Sequence, residues 1–175
     1  GSFTFGSLIA NEISPELLTF YRFLIATIIL GVILYFNKSI YAHHLKNIWR
    51  YFVLGAIYSI YFVFMFVALK YTTTVSTAAI FTLLPLFAAL LERLFLKKSS
   101  PVLIWAALIL SGMGALWIIF EGSINGLFQF RFEEGEAIFL VGTICYASYA
   151  IIQPKLFEGE NIYVTTLGVI AAGSI

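Results

Sequence analysis

The sequence predicts an all-α protein, a polytopic bundle of helices that crosses a lipid bilayer several times. Of the 175 residues, 61% are apolar and only 11% are charged, whereas soluble domains are about 45–50% apolar and about 25% charged. The apolar residues also form runs of roughly 20, the length that a helix needs to cross a hydrocarbon core. Because unpaired backbone groups are too costly in lipid, each run is expected to be helical.

Five of these runs are predicted to be complete spans. They are Leu17–Phe36, Phe52–Leu69, Tyr71–Leu91, Ser99–Phe120 and Ala137–Pro154. Shorter runs at Phe3–Ala10 and Asn161–Ile175 are expected to be the end of one further helix and the beginning of another. Pro15 and Pro101 stand at the start of two spans, where proline costs a helix no hydrogen bond.

The distribution of basic residues predicts the orientation, because cytoplasmic connections carry an excess of Lys and Arg. One set of alternate connections holds Lys38, Lys46, Arg50, Arg93, Lys97, Lys98 and Lys155. The other set holds only Lys70 and Arg131. We therefore expect the first set to be cytoplasmic, in a multi-pass protein of the plasma membrane, with the bacterial inner membrane as the expected location.

Charge and motifs argue against several classes of function. The net charge of +1 gives no basic field for nucleic acid. No glycine-rich loop ending in Lys-Ser or Lys-Thr is present, so ATP hydrolysis is not supported. The adjacent His43 and His44 point to different sides of any helix, which argues against a metal pair. We expect no cofactor, no metal and no catalytic residue; the expected partners are membrane lipid and a small-molecule substrate.

A weak internal repeat accompanies these spans. An offset of 146 residues places Glu158 on Glu12 and Thr165 on Thr19. At this offset each unit holds five helices, and an odd number of crossings inverts the second unit in the membrane. Inverted repeats with a substrate site between them are a recurring architecture of secondary transporters.

Several motifs resemble one family in their order and spacing. They are Ile13-Ser14-Pro15 followed by Tyr21–Ala26, then Ala68–Thr72 leading to Leu84–Leu90, and then Ser111–Leu116. Together they resemble EamA-type proteins of the drug/metabolite transporter superfamily. The resemblance implies ten helices in two inverted five-helix repeats. Residues 1–120 would form the first repeat with a truncated first helix, 121–134 an extracytoplasmic loop, and 135–175 the start of the second repeat.

Arg22 is the charge that lies well inside a predicted span, and a charge inside the membrane is by default a functional candidate. It is a candidate for binding an anionic group of the substrate. The alternative is structural, because its long side chain could reach the interface or pair with Glu12 or Glu16.

Thr82 and Pro85 are candidates in the middle of the span Tyr71–Leu91. Pro85 cannot donate to the carbonyl of Phe81, so a free acceptor and a kink are expected halfway across the membrane, where a cavity could use them. The alternative for this small, mildly polar face is helix packing.

Four tyrosines are the remaining candidates. Tyr58 and Tyr61 share a stripe with Phe62 and Met65, and Tyr146 and Tyr149 share a face of a later span. Aromatic rings can hold apolar or cationic groups while the hydroxyls orient them, although aromatics are 18% of the chain and many must only pack. The family resemblance implies that these spans line the central cavity.

The predicted function is transport of small metabolites or drug-like molecules by alternating access, with export as the expected direction. One alternative is a membrane-embedded enzyme, which would need a cluster of titratable residues at one membrane face; His43, His44, Glu12 and Glu92 do not form one, because Glu12 is predicted on the other side. The other is a channel or scaffold subunit, which would leave the repeat unexplained. No carboxylate is predicted within a span, so no proton relay is expected there. A homodimer is a further expectation. Small residues around Gly112 form a packing surface, either within the fold or between subunits.

Overall fold

The computed structural model describes residues 12–37, 48–97, 101–119, 122 and 134–174. The helices in this part are α1 (Pro15–Phe36), α2 (Ile48–Ala68), α3 (Thr74–Phe81), α4 (Leu84–Leu96), α5 (Val102–Ile119), α6 (Glu134–Leu156) and α7 (Ile162–Gly173). Every regular element in these ranges is a helix, so the all-α prediction is confirmed.

Four stretches of the described chain are long and apolar enough to cross a membrane. They are Pro15–Phe36, Ile48–Ala68, Thr74–Leu96 and Glu134–Leu156. The fifth predicted span corresponds to α5, which is a shorter apolar helix, as is α7. The partial helix predicted at Phe3–Ala10 lies outside the described residues.

Polar residues just before α1, α3 and α7 each accept from one of the first backbone N–H groups of the helix. The Ser14 side chain accepts from the Leu17 N–H, with Pro15 in the first turn of α1 as predicted. The Asn161 side chain accepts from the Tyr163 N–H at the start of α7. The two helices aligned by the internal repeat therefore begin in the same way.

Where the sequence predicts a kink, the structure has a break between two helices, because α3 ends at Phe81 and α4 begins at Leu84. At the break the backbone nitrogen of Thr82 is 3.1 Å from the carbonyl oxygen of Ala79, and that of Leu83 is 3.0 Å from the carbonyl oxygen of Ile80. These contacts join residues three apart, so the last turn tightens as helix ends commonly do.

Helix α2 is the centre of the bundle and packs against α1, α6 and α7. Its Leu54 and Met65 are almost fully buried. Helix α6 runs antiparallel to α2, with Gly135 beside Ala68 at one end and Leu156 beside Arg50 at the other. This arrangement agrees with alternate crossings of a bilayer.

Helices α1 and α7 pack against each other in opposite directions. Gly31 of α1 lies beside Leu167, whereas the earlier residue Phe23 lies beside the later residue Gly173. The helix starts are separated by nearly the offset of the internal repeat. An antiparallel pair is what an inverted repeat requires, although the division of the chain into repeats stays a prediction.

The outer surface is strongly apolar. Ile25 and Ile28 on α1 are each more than half exposed, and Val102 and Leu103 on α5 are 85% and 80% exposed. Such continuous apolar surface is not tolerated in water but suits contact with lipid tails. Together with the four stretches of spanning length, this surface shows that the chain is a multi-pass membrane protein.

Several charged residues that the sequence places in connections lie within helices, among them Arg93 in the last turn of α4 and Lys155 in the last turn of α6. Arg50 is in the first turn of α2, and Glu136 is in the first turn of α6 with only 4% of its surface exposed. Glu134, assigned to the predicted loop, is the first residue of α6. A carboxylate in a first turn is favoured by the helix dipole, which explains why α6 starts earlier than its apolar run.

Candidate functional site

Two neighbouring cavities lie between the helices, and the larger one is open to the outer surface beside Ile29 and Ile33. The larger one has a volume of about 450 Å³ and lies between α1, α2 and α7. The smaller one has a volume of about 200 Å³ and lies between α1, α2, α3 and α6. Arg22, Tyr58 and Phe62 line both cavities, so together the cavities form one candidate site with two compartments.

The four predicted tyrosines come together in one stack. Tyr58 and Tyr149 have ring centroids 4.8 Å apart with planes at 21°, and Tyr61 and Tyr146 have centroids 4.7 Å apart with planes at 26°. Tyr146 and Tyr149 are nearly parallel, at 11°. Tyr58 and Tyr61 are three residues apart on α2, and Tyr146 and Tyr149 are three residues apart on α6, so each helix carries its two rings on one face. The antiparallel packing of α2 and α6 then brings the two faces together.

Arg22 reaches the same site from α1. It lies seven residues after Pro15, about 10 Å along the helix at 1.5 Å per residue. Its guanidinium carbon is 4.5 Å from the centroid of the Phe62 ring, a distance at which the ring face attracts a cation. Among the described residues that line the two cavities, Arg22 is the charged one.

Three predicted candidates do not line either cavity. Tyr149 only packs on Tyr58 and Tyr146, which do line them. Thr82 and Pro85 are exposed, and the Thr82 hydroxyl donates to the Ala79 carbonyl at 2.6 Å. Their neighbour Phe81 lines the smaller cavity, where its ring lies 5.9 Å from Tyr146. Substrate contact by Thr82 and Pro85 stays a prediction that their placement does not support.

Several lining residues were not among the predicted site residues. Phe62 and Met65 stand on the same sequence stripe as the tyrosines, so that stripe could have identified them. Phe23 and Ala26 follow Arg22 on α1 and could be reached by helical spacing. Thr166 belongs to α7, and no local pattern predicts its approach to the site.

A separate polar cluster lies at the end of the bundle where α2 and α7 begin. Arg50 donates to the carbonyl of Leu156 and, at 3.0 Å, to Oε1 of Glu160. The Arg50 guanidinium also lies 4.9 Å from the ring centroid of Phe157, which packs on Tyr51. The cluster joins α2 to the connection between α6 and α7. Both partners of the ion pair lie on the side that the sequence predicts to be cytoplasmic.

A sequence model of the EamA-like transporter family matches residues 1–120. The chain belongs to this family. The resemblance stated from its motifs is therefore confirmed, and the match covers α1 to α5 and leaves α6 and α7 outside.

Three curated proteins are similar to almost the whole chain. A Bacillus subtilis (strain 168) protein with the name "Uncharacterized transporter YyaM" is 29% identical over 99% of this chain and 58% of its own length. Two Archaeoglobus fulgidus proteins with the name "Uncharacterized transporter" are 26% and 24% identical over 100% and 93% of this chain. The chain spans 56–60% of the length of these relatives. No solved structure matches the chain.

Proposed function

We propose that the full-length protein transports small molecules across its membrane by alternating access, with the two cavities as the substrate site. One observation carries this proposal. The cavities lie between α1, α2 and α3 of the predicted first repeat and α6 and α7 of the predicted second repeat. In transporters built from inverted repeats, the substrate site lies at such a junction.

The size and lining of the site support a small-molecule substrate. Pockets for drug-sized molecules measure roughly 300–1,000 Å³ and are mostly apolar with a few placed polar groups. The larger cavity, at about 450 Å³, lies within this range, and Arg22 and Tyr58 supply polar groups in an otherwise largely apolar wall. A smaller aromatic compartment adjoins it.

The contacts between the predicted repeats support a rocking motion around this site. Arg50 of the first repeat is held to Glu160 of the second at one end of the bundle. Opening that end between α2 and the connection after α6 would break this ion pair. The proposed direction, export, rests on the resemblance to drug and metabolite transporters.

The test is access of water to the cavity from each side of the membrane. In the full-length protein with Cys145→Ala and any other cysteine replaced, Ala26→Cys places a thiol in the wall of the larger cavity. Vesicles of both orientations are treated with a membrane-impermeant maleimide. Alternating access predicts modification of this thiol from both sides, because the thiolate that reacts forms only where water reaches it.

Ile28→Cys is the matched control. Ile28 lies two residues further along α1, at nearly the same depth but on the opposite face, and is 57% exposed on the outer surface. Its thiol should contact lipid and stay unmodified from both sides. Modification of Ala26→Cys from one side only would contradict alternating access. Modification of neither thiol would favour a scaffold.

A further inference from the structure

We propose that the substrate is an organic monoanion with an aromatic body, its carboxylate at Arg22 and its ring against the tyrosine stack. This inference rests on the proposed transport function and assigns a substrate class to the same site. It depends on three observations: the sign of the charge in the cavity walls, the position of the guanidinium, and the flat aromatic surface beside it.

The charge in the cavity walls favours an anion. The described lining residues include Arg22 and no Asp or Glu. In a site surrounded by apolar helices the effective dielectric constant is far below that of water, so one charge acts strongly on another nearby. A cationic substrate would be repelled by the guanidinium although aromatic rings surround it. A zwitterion would place its ammonium group where no described lining residue offers a carboxylate.

The position of Arg22 suits a carboxylate. Its guanidinium carbon lies 4.5 Å from the Phe62 ring centroid, so one face of the group is covered by the ring. The N–H donors of a guanidinium lie in its plane and can bind both oxygens of a carboxylate at once. A guanidinium has five such donors, so it can bind a protein acceptor and a substrate carboxylate together.

The surface next to Arg22 suits a planar ring. Tyr58 lines both cavities, and its ring is nearly parallel to those of Tyr146 and Tyr149, at 28° and 21°. These rings already stack on one another, and Phe23 stacks on Tyr58 at 5.5 Å, so a substrate ring would meet the edge of the stack or lie offset beside it. In the smaller compartment Phe81 and Tyr61 continue this aromatic lining. A ring placed there would lie within reach of a carboxylate held at Arg22.

The test uses four small probes with the same aromatic body and different charge. Hydrocinnamate is the anion, hydrocinnamamide the neutral analogue, phenylalanine the zwitterion and phenylpropylamine the cation. Each is titrated against maleimide modification of Ala26→Cys in the full-length protein, in nanodiscs of phosphatidylcholine. Hydrocinnamate should protect the thiol at a concentration at least tenfold lower than any other probe. Cyclohexylpropanoate should require a several-fold higher concentration than hydrocinnamate, because its saturated ring cannot stack.

Variants of Arg22 decide whether the guanidinium causes the preference. Arg22→Gln should remove the tenfold difference between hydrocinnamate and hydrocinnamamide, whereas Arg22→Lys should retain a smaller preference for the anion. If Arg22→Gln does not fold, the probe series on the unaltered arginine still decides the charge preference. Equal protection by anion and amide, or better protection by the cation, would overturn the proposal.

An anionic lipid could place the same charge at Arg22, and a second nanodisc composition separates the two sources. Adding phosphatidylglycerol should change the protecting concentration of hydrocinnamate less than twofold. Protection by phosphatidylglycerol alone, with none by hydrocinnamate, would overturn the proposal in favour of lipid. Access to Ala26→Cys from both sides without probe is scored separately, so the substrate class can fail while the transport proposal stands.

Discussion

The contact between α2 and α7 predicts a large effect from one methyl group. A Cβ added to Gly55 would lie 2.7 Å from the backbone nitrogen of Gly173 and 2.8 Å from the carbonyl oxygen of Val169. These atoms belong to the backbone of α7, so they cannot rotate away as a side chain could. Gly55→Ala should therefore push the two helices apart by several tenths of an ångström.

The magnitude follows from two opposing contributions. Inserting a methyl group into a packed interior costs typically about 1–3 kcal/mol. Replacing glycine by alanine in a helix returns roughly 0.5–1 kcal/mol. Because the clash at Gly55 is with backbone, we expect a packing cost near the upper end of that range. After the gain from replacing glycine is subtracted, the free energy of unfolding should fall by about 2 kcal/mol. For a protein of this size that corresponds to a melting temperature about 4–8 °C lower.

The assay is thermal unfolding of the full-length protein in detergent micelles, with Gly114→Ala as the matched control. Gly114 is exposed on α5, and among the described residues no atom would lie within 4 Å of its added Cβ. The control should melt at the same temperature as the unaltered protein or slightly above it. Equal melting temperatures for Gly55→Ala and Gly114→Ala would refute the close packing of α2 on α7.

Two further predictions concern the site and the ion pair. Tyr149→Ala should reduce substrate flux at least tenfold while changing protein abundance less than twofold, measured by transport and immunoblot; an equal loss of both would indicate a structural role. Arg50→Gln should destabilise the protein by about 2 kcal/mol, because a hydrogen-bonded charge is lost where both partners are mostly buried. Lys97→Gln, at an exposed position, should change stability by less than about 0.5 kcal/mol in the same unfolding assay.

The helices were the most predictable part of the structure, because the thickness of a bilayer imposes their length. A kink near Pro85 was equally predictable, since a missing N–H has a local consequence. The start of α6 was not, because the apolar run begins at Ala137 and the helix dipole accommodates Glu136 in the turn before it.

The tyrosine stack was partly predictable from spacing. Residues three apart on a helix share a face, so Tyr58 and Tyr61 could be paired, as could Tyr146 and Tyr149. The sequence of α3 does not show which of its faces points inward, because apolar and small residues lie on all sides of this helix. The predicted face with Thr82 is exposed, while Thr77 and Ile80 are fully buried.

The participation of α7 in the larger cavity could not be predicted from local pattern. Thr166 and Ile170 meet Arg22 and Phe23 from more than 140 positions away in the sequence. The internal repeat predicts only that α1 and α7 are equivalent in the two units. Their direct antiparallel contact is a property of packing, which depends on side-chain shapes along both helices.

The central claim, that Arg22 and its aromatic surroundings hold the transported molecule, is tested most directly by counterflow. Proteoliposomes of the full-length protein are preloaded with unlabelled hydrocinnamate, and accumulation of the labelled compound is followed over time. The unaltered protein should drive a transient accumulation at least tenfold above that of Arg22→Gln at equal protein content. Equal accumulation by both proteins would show that the transported molecule does not depend on Arg22.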